Sequence, residues 1–225
     1  MRSIYEQALG ADFQKLHPRI QKRFGFCSQD RTASIGHGVM QLIWYNKLAA
    51  LPLFIGTLRH IMFPQGGVNI PFSIENYAYV DAFGRETVTW IRKFKFPRTI
   101  RHFDATMVYS GEREVIVDYL GNKQHLAVDL DVAVSTKGGI RIISGEQRFY
   151  EGWLQFRFPR LFTGRAEVNE WYDDEERCYK ISVDVRNPIL GQIFRYEGSF
   201  QASFVNSGHE AIPIGIRPLR EEKRE

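Results

Sequence analysis

Acid, amide, base and phenol crowd together at Glu146-Gln147-Arg148-Phe149-Tyr150-Glu151, inside the stretch Ser144–Phe162. Glu146 and Glu151 suit an acid/base pair where an apolar wall raises one carboxyl pKa. Their spacing of five puts them on opposite faces of a continuous strand, so a bulge near Gly152 is needed to bring them together. Structural pairing of the two carboxylates is the competing reading. In the run that follows, Leu154, Phe156 and Phe158 share one face, and Trp153, Gln155 and Arg157 the other. His102 and Asp104 complete the set of candidate acid/base groups.

Arg92 is the sharpest departure from pattern. It lies between Trp90 and Phe94 on a face that otherwise reads as inward. A buried guanidinium must be paired and hydrogen-bonded, because desolvating it alone is very costly. A carboxylate such as Glu146 or Glu151, a ligand anion, or a bulge that turns the side chain outward would each meet that need. The basic run Arg98-Thr99-Ile100-Arg101-His102, after Lys93 and Lys95, can hold a phosphate, a carboxylate or a single strand of nucleic acid. A solvated, aggregation-resisting strand edge explains it better, and no nucleic-acid partner is expected. His125, Asp129 and Asp131 share one strand face, but they offer fewer oxygens than a hard cation wants. No metal and no cofactor is expected. The sequence has no G-x-S-x-G, no H-E-x-x-H, no P-loop and no credible Rossmann fingerprint. Gly36-His37-Gly38 reads as a flexible lead-in to a helix.

The elements that position these residues follow from periodicity. Val88, Trp90, Phe94 and Phe96 alternate with Thr87, Thr89, Lys93 and Lys95. Similar two-residue alternation marks 103–109, 126–134, 179–186 and 194–204, with short turn-like breaks such as Ser110-Gly111, Gly121-Asn122 and Lys137-Gly138-Gly139. One wet face and one buried face belong to antiparallel sheets. Short connections exclude parallel crossovers. The expected fold is mainly β (α+β): a meander of roughly nine to eleven strands forming a large antiparallel barrel or half-barrel. Short N-terminal helices cap one end. Ser3-x-x-Glu6 is a capping box, and Pro18, Leu16, Ile20, Phe24 and Gly25 set out a second helix with His17 at its start. Residues 39–63 are the most apolar part of the chain and read as two short helices around Pro52. They cover the core, lid a cavity or lie on a membrane. The boundaries expected are a helical cap over 1–66, a barrel over 67–217 and a flexible tail over 218–225.

Composition narrows the class. With 44% hydrophobic and 25% charged residues, the chain is neither disordered nor a membrane protein in composition. Thirty basic against 26 acidic side chains is too small an excess to imply nucleic acid without a clustered patch. Cys27 and Cys178 lie far apart and match no metal spacing. The opening MRSIYEQALGADF lacks the apolar core of a signal peptide. A cytoplasmic location is expected.

Several phrases carry a resemblance. SIYEQALGADFQKLHPRIQKRFG, DAFGRETVTWIRKFKF, RHFDATMVYS, IVDYLG, SGEQRFYEGWLQFRFPRLFTGRAEVNEW and VRNPILGQIFRYEGSF resemble the bacterial family called domain of unknown function 4166. The likeness runs from about residue 3 to about residue 205. It implies a bacterial cytosolic setting. Fusion of the domain in some relatives to a membrane protein of the YndJ kind, or to a saccharopine-dehydrogenase-like reductase, implies an accessory or ligand-handling role. No family catalytic residues come with it. The residues then support a binding module first. A small apolar or anionic ligand, such as a lipid or acyl metabolite, would sit among Trp90, Phe94, Phe149, Phe156 and Phe158. Arg92 or Arg148 would anchor its head, with Tyr150 and Arg157 beside it. The alternatives are an enzyme built on Glu146, Arg148, Tyr150 and Glu151 with His102 or Asp104, and an interaction domain. In the latter, segment 39–63 docks a membrane protein or a second copy.

Overall fold

The computed structural model describes residues 1–159, 163–206, 213 and 215–225. Ten antiparallel strands close into a barrel: β1 (Thr32–Tyr45), β2 (Gly67–Val80), β3 (Glu86–Phe96), β4 (Thr99–Ser110), β5 (Val115–Leu120), β6 (Leu126–Val134), β7 (Ile140–Glu151), β9 (Arg165–Asp173), β10 (Cys178–Asn187) and β11 (Gly191–Asn206). Closure comes from β7, which pairs with β6 on one side and β9 on the other. The short strand β8 (Leu154–Arg157) folds back on the end of β7 as a hairpin outside the ring. The last residues of the Ser144–Phe162 stretch, 160–162, lie outside the described residues.

Two short helices plug one end. In α1 (Ile4–Leu9) the Ser3 hydroxyl accepts from the Glu6 N–H, and Glu6 accepts from the Ser3 N–H, so the capping box forms as read. In α2 (Pro18–Phe24) Pro18 occupies the first turn and the His17 ring accepts from the Arg19 N–H. Tyr5, Leu16, Ile20 and Phe24 bury themselves in the barrel. Arg23 goes in with them. It is 1% exposed, pairs with the equally buried Glu170, and donates to Ser34 (2.7 Å) and Asn76 (3.4 Å).

The boundary expected at residue 66 is wrong. Residues 32–45 form a barrel stave between β2 and β11, not a helix and its lead-in. Its inward positions carry Ser34, Gly36 and Gly38, so no apolar alternation shows. The reason is crowding. A Cβ on Gly38 would lie 2.0 Å from the Ser199 carbonyl oxygen, and one on Gly36 2.8 Å from the Ile74 and Phe200 side chains. A single 3-10 turn (Lys47–Ala49) then runs straight into one α-helix, α3 (Ala50–Thr57), in place of two helices separated at Pro52. Pro52 falls in its first turn, where no N–H is needed, and does not break it. Among the described residues, no helix is long and apolar enough to cross a membrane.

The tail is not loose either. Leu219 N–H bonds to the Asn122 carbonyl (2.8 Å), Glu222 N–H to Gln124 (2.6 Å), and Arg85 to the Glu222 carbonyl (2.7 Å). The Tyr119 hydroxyl donates to the Arg224 carbonyl at 2.7 Å. The tail thereby meets a second apolar cluster of Val108, Val117, Tyr119, Ala127 and Tyr150, separate from the main core. Alternation fails at β5, whose two faces are both apolar, because this second cluster also needs covering.

Arg23→Met should destabilise the fold by about 3–5 kcal/mol at neutral pH, because Glu170 is left buried and unpaired. Arg23→Met with Glu170→Met should recover most of that loss, as read from urea unfolding midpoints.

Candidate functional site

The site lies where β7 changes partner. Over Ile140–Ile143 it pairs with β9, and over Arg148–Glu151 with β8. Between these segments the wall is held by isolated clasps. Ser144 accepts from the Ala166 N–H (2.7 Å), and the Gln147 amide donates to the Gly164 carbonyl (2.7 Å). On its other side β7 faces a register shift in β6 between Val128 and Leu130. The opening leads to a cavity of about 600 Å³. Leu53 and Ile55 of α3, Met62, Phe103, Leu126, Val128, Phe158 and Ile193 are among its walls, and the lining is overwhelmingly apolar.

Phe103, Val128, Ser144 and Ala166 also line an inner chamber of about 50 Å³, whose far wall carries Trp90, Arg92, Met107 and Asp118. Arg92 is 3% exposed. Its Nε donates to the Phe103 carbonyl at 2.8 Å and its Nη1 to the Tyr196 hydroxyl at 3.2 Å. The guanidinium lies 3.8 Å from the centre of the Phe103 ring and 5.5 Å from that of Trp90, a cation–π arrangement. Among the described residues no carboxylate comes within salt-bridge distance of it. Asp118 is 7% exposed, and its Oδ1 has no hydrogen-bond partner among the described residues. Burial pushes the Asp118 carboxyl up to about 7, and the Arg92 charge only partly opposes this. The chamber thus holds a guanidinium beside a carboxyl that keeps its proton to far higher pH than an ordinary aspartate. A protonated carboxyl donates a hydrogen bond, so both groups can serve one incoming anion.

Of the residues singled out by sequence, Trp90 and Arg92 line this chamber. Phe94 does not: it is fully buried in solid packing against Phe63, Phe72 and Tyr196. Arg148 is tied to Asp129 (2.6 Å), Glu146 (3.0 Å) and Tyr150 (3.2 Å). Tyr150 in turn donates to the Glu225 carbonyl and belongs to the outer cluster. Phe156 is exposed and stacks on Phe149, and Arg157 reaches Glu146 at 3.2 Å. Only Phe158 of that run lines the mouth. The two candidate carboxylates do not meet. Glu146 is taken by Arg148 and Arg157, and Glu151 by His125 at 2.7 Å. His125 and Asp129 likewise have separate partners, Asp129 being bound by Arg113 and Arg148. His102 and Asp104 do sit together, with His60.

Asp118, Tyr196 and His60 escaped the sequence reading. Asp118 alternates with Ile116 and Leu120, which is the same signature that exposed Arg92. It was masked because Val115, Val117 and Tyr119 are apolar too. Tyr196 falls in the alternating run 194–204, where nothing in the sequence links it to Arg92.

Residues 16–200 match the family described as Domain of unknown function (DUF4166). The chain belongs to that family. It is 31% identical over 201 residues to "Uncharacterized protein YndH" of Bacillus subtilis (strain 168), covering 89% of this chain and 97% of that protein. No solved structure matches. The DUF4166 match spans Trp90, Arg92, Asp118 and Tyr196, and so contains the whole chamber, whereas α1 precedes it.

The raised Asp118 pKa fixes a sign. The folded state holds this proton more tightly than the unfolded chain, so the stability that Asp118 contributes is full below about pH 4 and is lost as pH rises through about 7. A shift from 3.8 to about 7 corresponds to about 4 kcal/mol at most. Asp118→Asn should therefore flatten the pH dependence and unfold later than the parent at pH 8, with a smaller difference at pH 5, in matched thermal melts.

Proposed function

We propose that this barrel binds one small amphipathic molecule, with an anionic head in the Arg92–Asp118 chamber and an apolar body in the mouth. The observation that carries this is a buried guanidinium without an ionic partner among the described residues, at the floor of an apolar cavity. A charge in such a place is expensive unless something completes its shell. The cavity volume suits a small-molecule site, as does the ratio of many apolar walls to few convergent polar groups. A carboxylate head on an acyl chain fits best. It accepts from Arg92 and from protonated Asp118, while the chain covers Phe103, Val128 and Leu126. The chamber admits only a compact head, which argues against phosphodiesters with large substituents. The buried free thiols Cys27 and Cys178 suit a reducing cytoplasm. The acid/base reading on Glu146 and Glu151 has no convergent pair to stand on, since each carboxylate is held by its own cation.

Calorimetric titration with dodecanoate and with its methyl ester tests the assignment. The acid should bind the parent more tightly than the ester. Arg92→Met should weaken the acid by about ten-fold or more while leaving the ester nearly unchanged. Equal binding of acid and ester, or no loss in Arg92→Met, would remove the chamber from the account.

The rim of the mouth favours a second, compatible reading. Leu51 (72% exposed) and Phe54 (56% exposed) are exposed on α3, as is Leu58 just beyond its end. Such a patch suits docking on a lipid surface from which an acyl ligand is collected. Co-sedimentation with phosphatidylglycerol vesicles should be lost in Leu51→Ser/Phe54→Ser. Vesicle binding unchanged by the double variant would exclude α3, and a mass doubled in light scattering would favour a dimer face instead.

A further inference from the structure

We propose that His60, His102 and Asp104 form a site for one divalent transition-metal ion, of the zinc, cobalt or ferrous kind, on the outer wall of the barrel behind Phe103. One ligand atom from each of the three residues lies within 4.8 Å of the others. His102 and Asp104 are two apart on β4 and so share a face, while Phe103 between them points into the cavity. His60 arrives from the turn after α3. Its Nδ1 is 2.6 Å from Asp104 Oδ2, and its ring stacks on His102 with centroids 4.5 Å apart.

The backbone that delivers His60 is tightly specified. His60 has φ of +57°, in the left-handed region that few non-glycine residues adopt. Its carbonyl accepts from the Asp104 N–H at 2.8 Å. The neighbouring Arg59 carbonyl accepts from Asn122 at 3.1 Å. A Cβ on Gly121, itself at φ +81°, would fall 2.2 Å from that Arg59 oxygen, so the approach requires glycine there.

A second observation points to a cation. His102 Nδ1 and Asp104 Oδ1 are both buried and lack any hydrogen-bond partner among the described residues, although they face each other at 3.8 Å. Buried polar atoms are almost always satisfied, and exceptions call for a water or an ion. A chain of hydrogen bonds His60–Asp104–His102 would have closed that gap, and it does not. A metal bound at roughly 2.0–2.2 Å to each ligand would satisfy both atoms at once. Two imidazoles and one carboxylate favour zinc, cobalt, nickel or ferrous iron over magnesium or calcium, which want an all-oxygen shell. Three protein ligands also leave a coordination position open towards solvent, where the His60 side chain is 35% exposed. The ion would staple the turn after α3, which roofs the mouth, to strand β4. The site shares no residue with the acyl reading, so either can fail alone.

Chelator-treated, tag-free protein titrated with Co²⁺ tests the site. One equivalent should bind at micromolar concentration and give visible d–d absorption, which Zn²⁺ then abolishes. Zn²⁺ should raise the parent's Tm by about 5 °C or more at saturating concentration. His102→Asn and His60→Asn should each lose the spectrum and the Zn²⁺ shift. Asparagine tolerates the left-handed backbone at 60, and the metal-free melts check that both variants fold. His125→Asn should keep both signals. Absence of a stoichiometric Co²⁺ spectrum in the parent, or its survival in His102→Asn, would overturn the assignment.

Discussion

A ten-stranded barrel is wider than its own side chains readily fill, and most of this structure answers that constraint. Barrels of about eight strands pack solid or hold one small ligand; wider ones need something else inside. Here α1 and α2 supply the filling at one end, bringing Phe24 against Trp90, with Tyr5 and Ile20 in the same core. On the side of β1, β2 and β11, small inward residues on β1 leave room for Phe63, Phe72, Phe94, Phe194, Tyr196 and Phe200, which pack in edge-on and tilted contacts. What remains is the quadrant under β5, β6, β7 and β9, where the wall itself parts at Ser144–Gln147. The cavity is therefore a consequence of where the filling stops and where β7 changes partner.

Two guanidiniums enter this interior and are treated differently. Arg23 meets Glu170 and two polar side chains, so this guanidinium has its own ionic partner inside the fold. Arg92 meets a carbonyl, a phenol and two aromatic faces, all of them neutral. Asp118 stands across the same chamber, yet desolvation outweighs the pull of Arg92 and keeps its proton on until about pH 7. A chamber left with net positive charge and a spare donor is suited to an anion. The same low dielectric that makes Arg92 costly alone would make it effective towards the proposed anionic head.

The parity of the strands between Gly84 and Phe204 was legible because one face is wet, and Arg92 stood out against that parity. Helix α1 was legible from its capping box. β1 was not, because glycines sit where neighbouring rings crowd the backbone and so erase the apolar signal. Pro52 misled because a first-turn proline and a helix-breaking proline look alike until the helix start is known. Asp118 hid in a strand with two apolar faces, the outer one covered by a tail whose charges suggested fraying. Glu146, Arg148 and Glu151 drew notice for their density of chemistry, yet each satisfies a neighbour on the outside. His60 lies 42 residues from His102 along the chain, and only the turn held against Gly121 brings them together. Candidate chemistry was visible where it interrupted a clean alternation, as at Arg92, and hidden where the alternation itself was blurred or the partners met only through a turn.

Native mass spectrometry of gently purified protein tests the central claim most directly. The account predicts a single small-molecule adduct on the folded chain, released on denaturation, identified as an acid with an apolar body, and depleted in Arg92→Met. A bare chain in the parent protein, or an adduct retained in full by Arg92→Met, would contradict it.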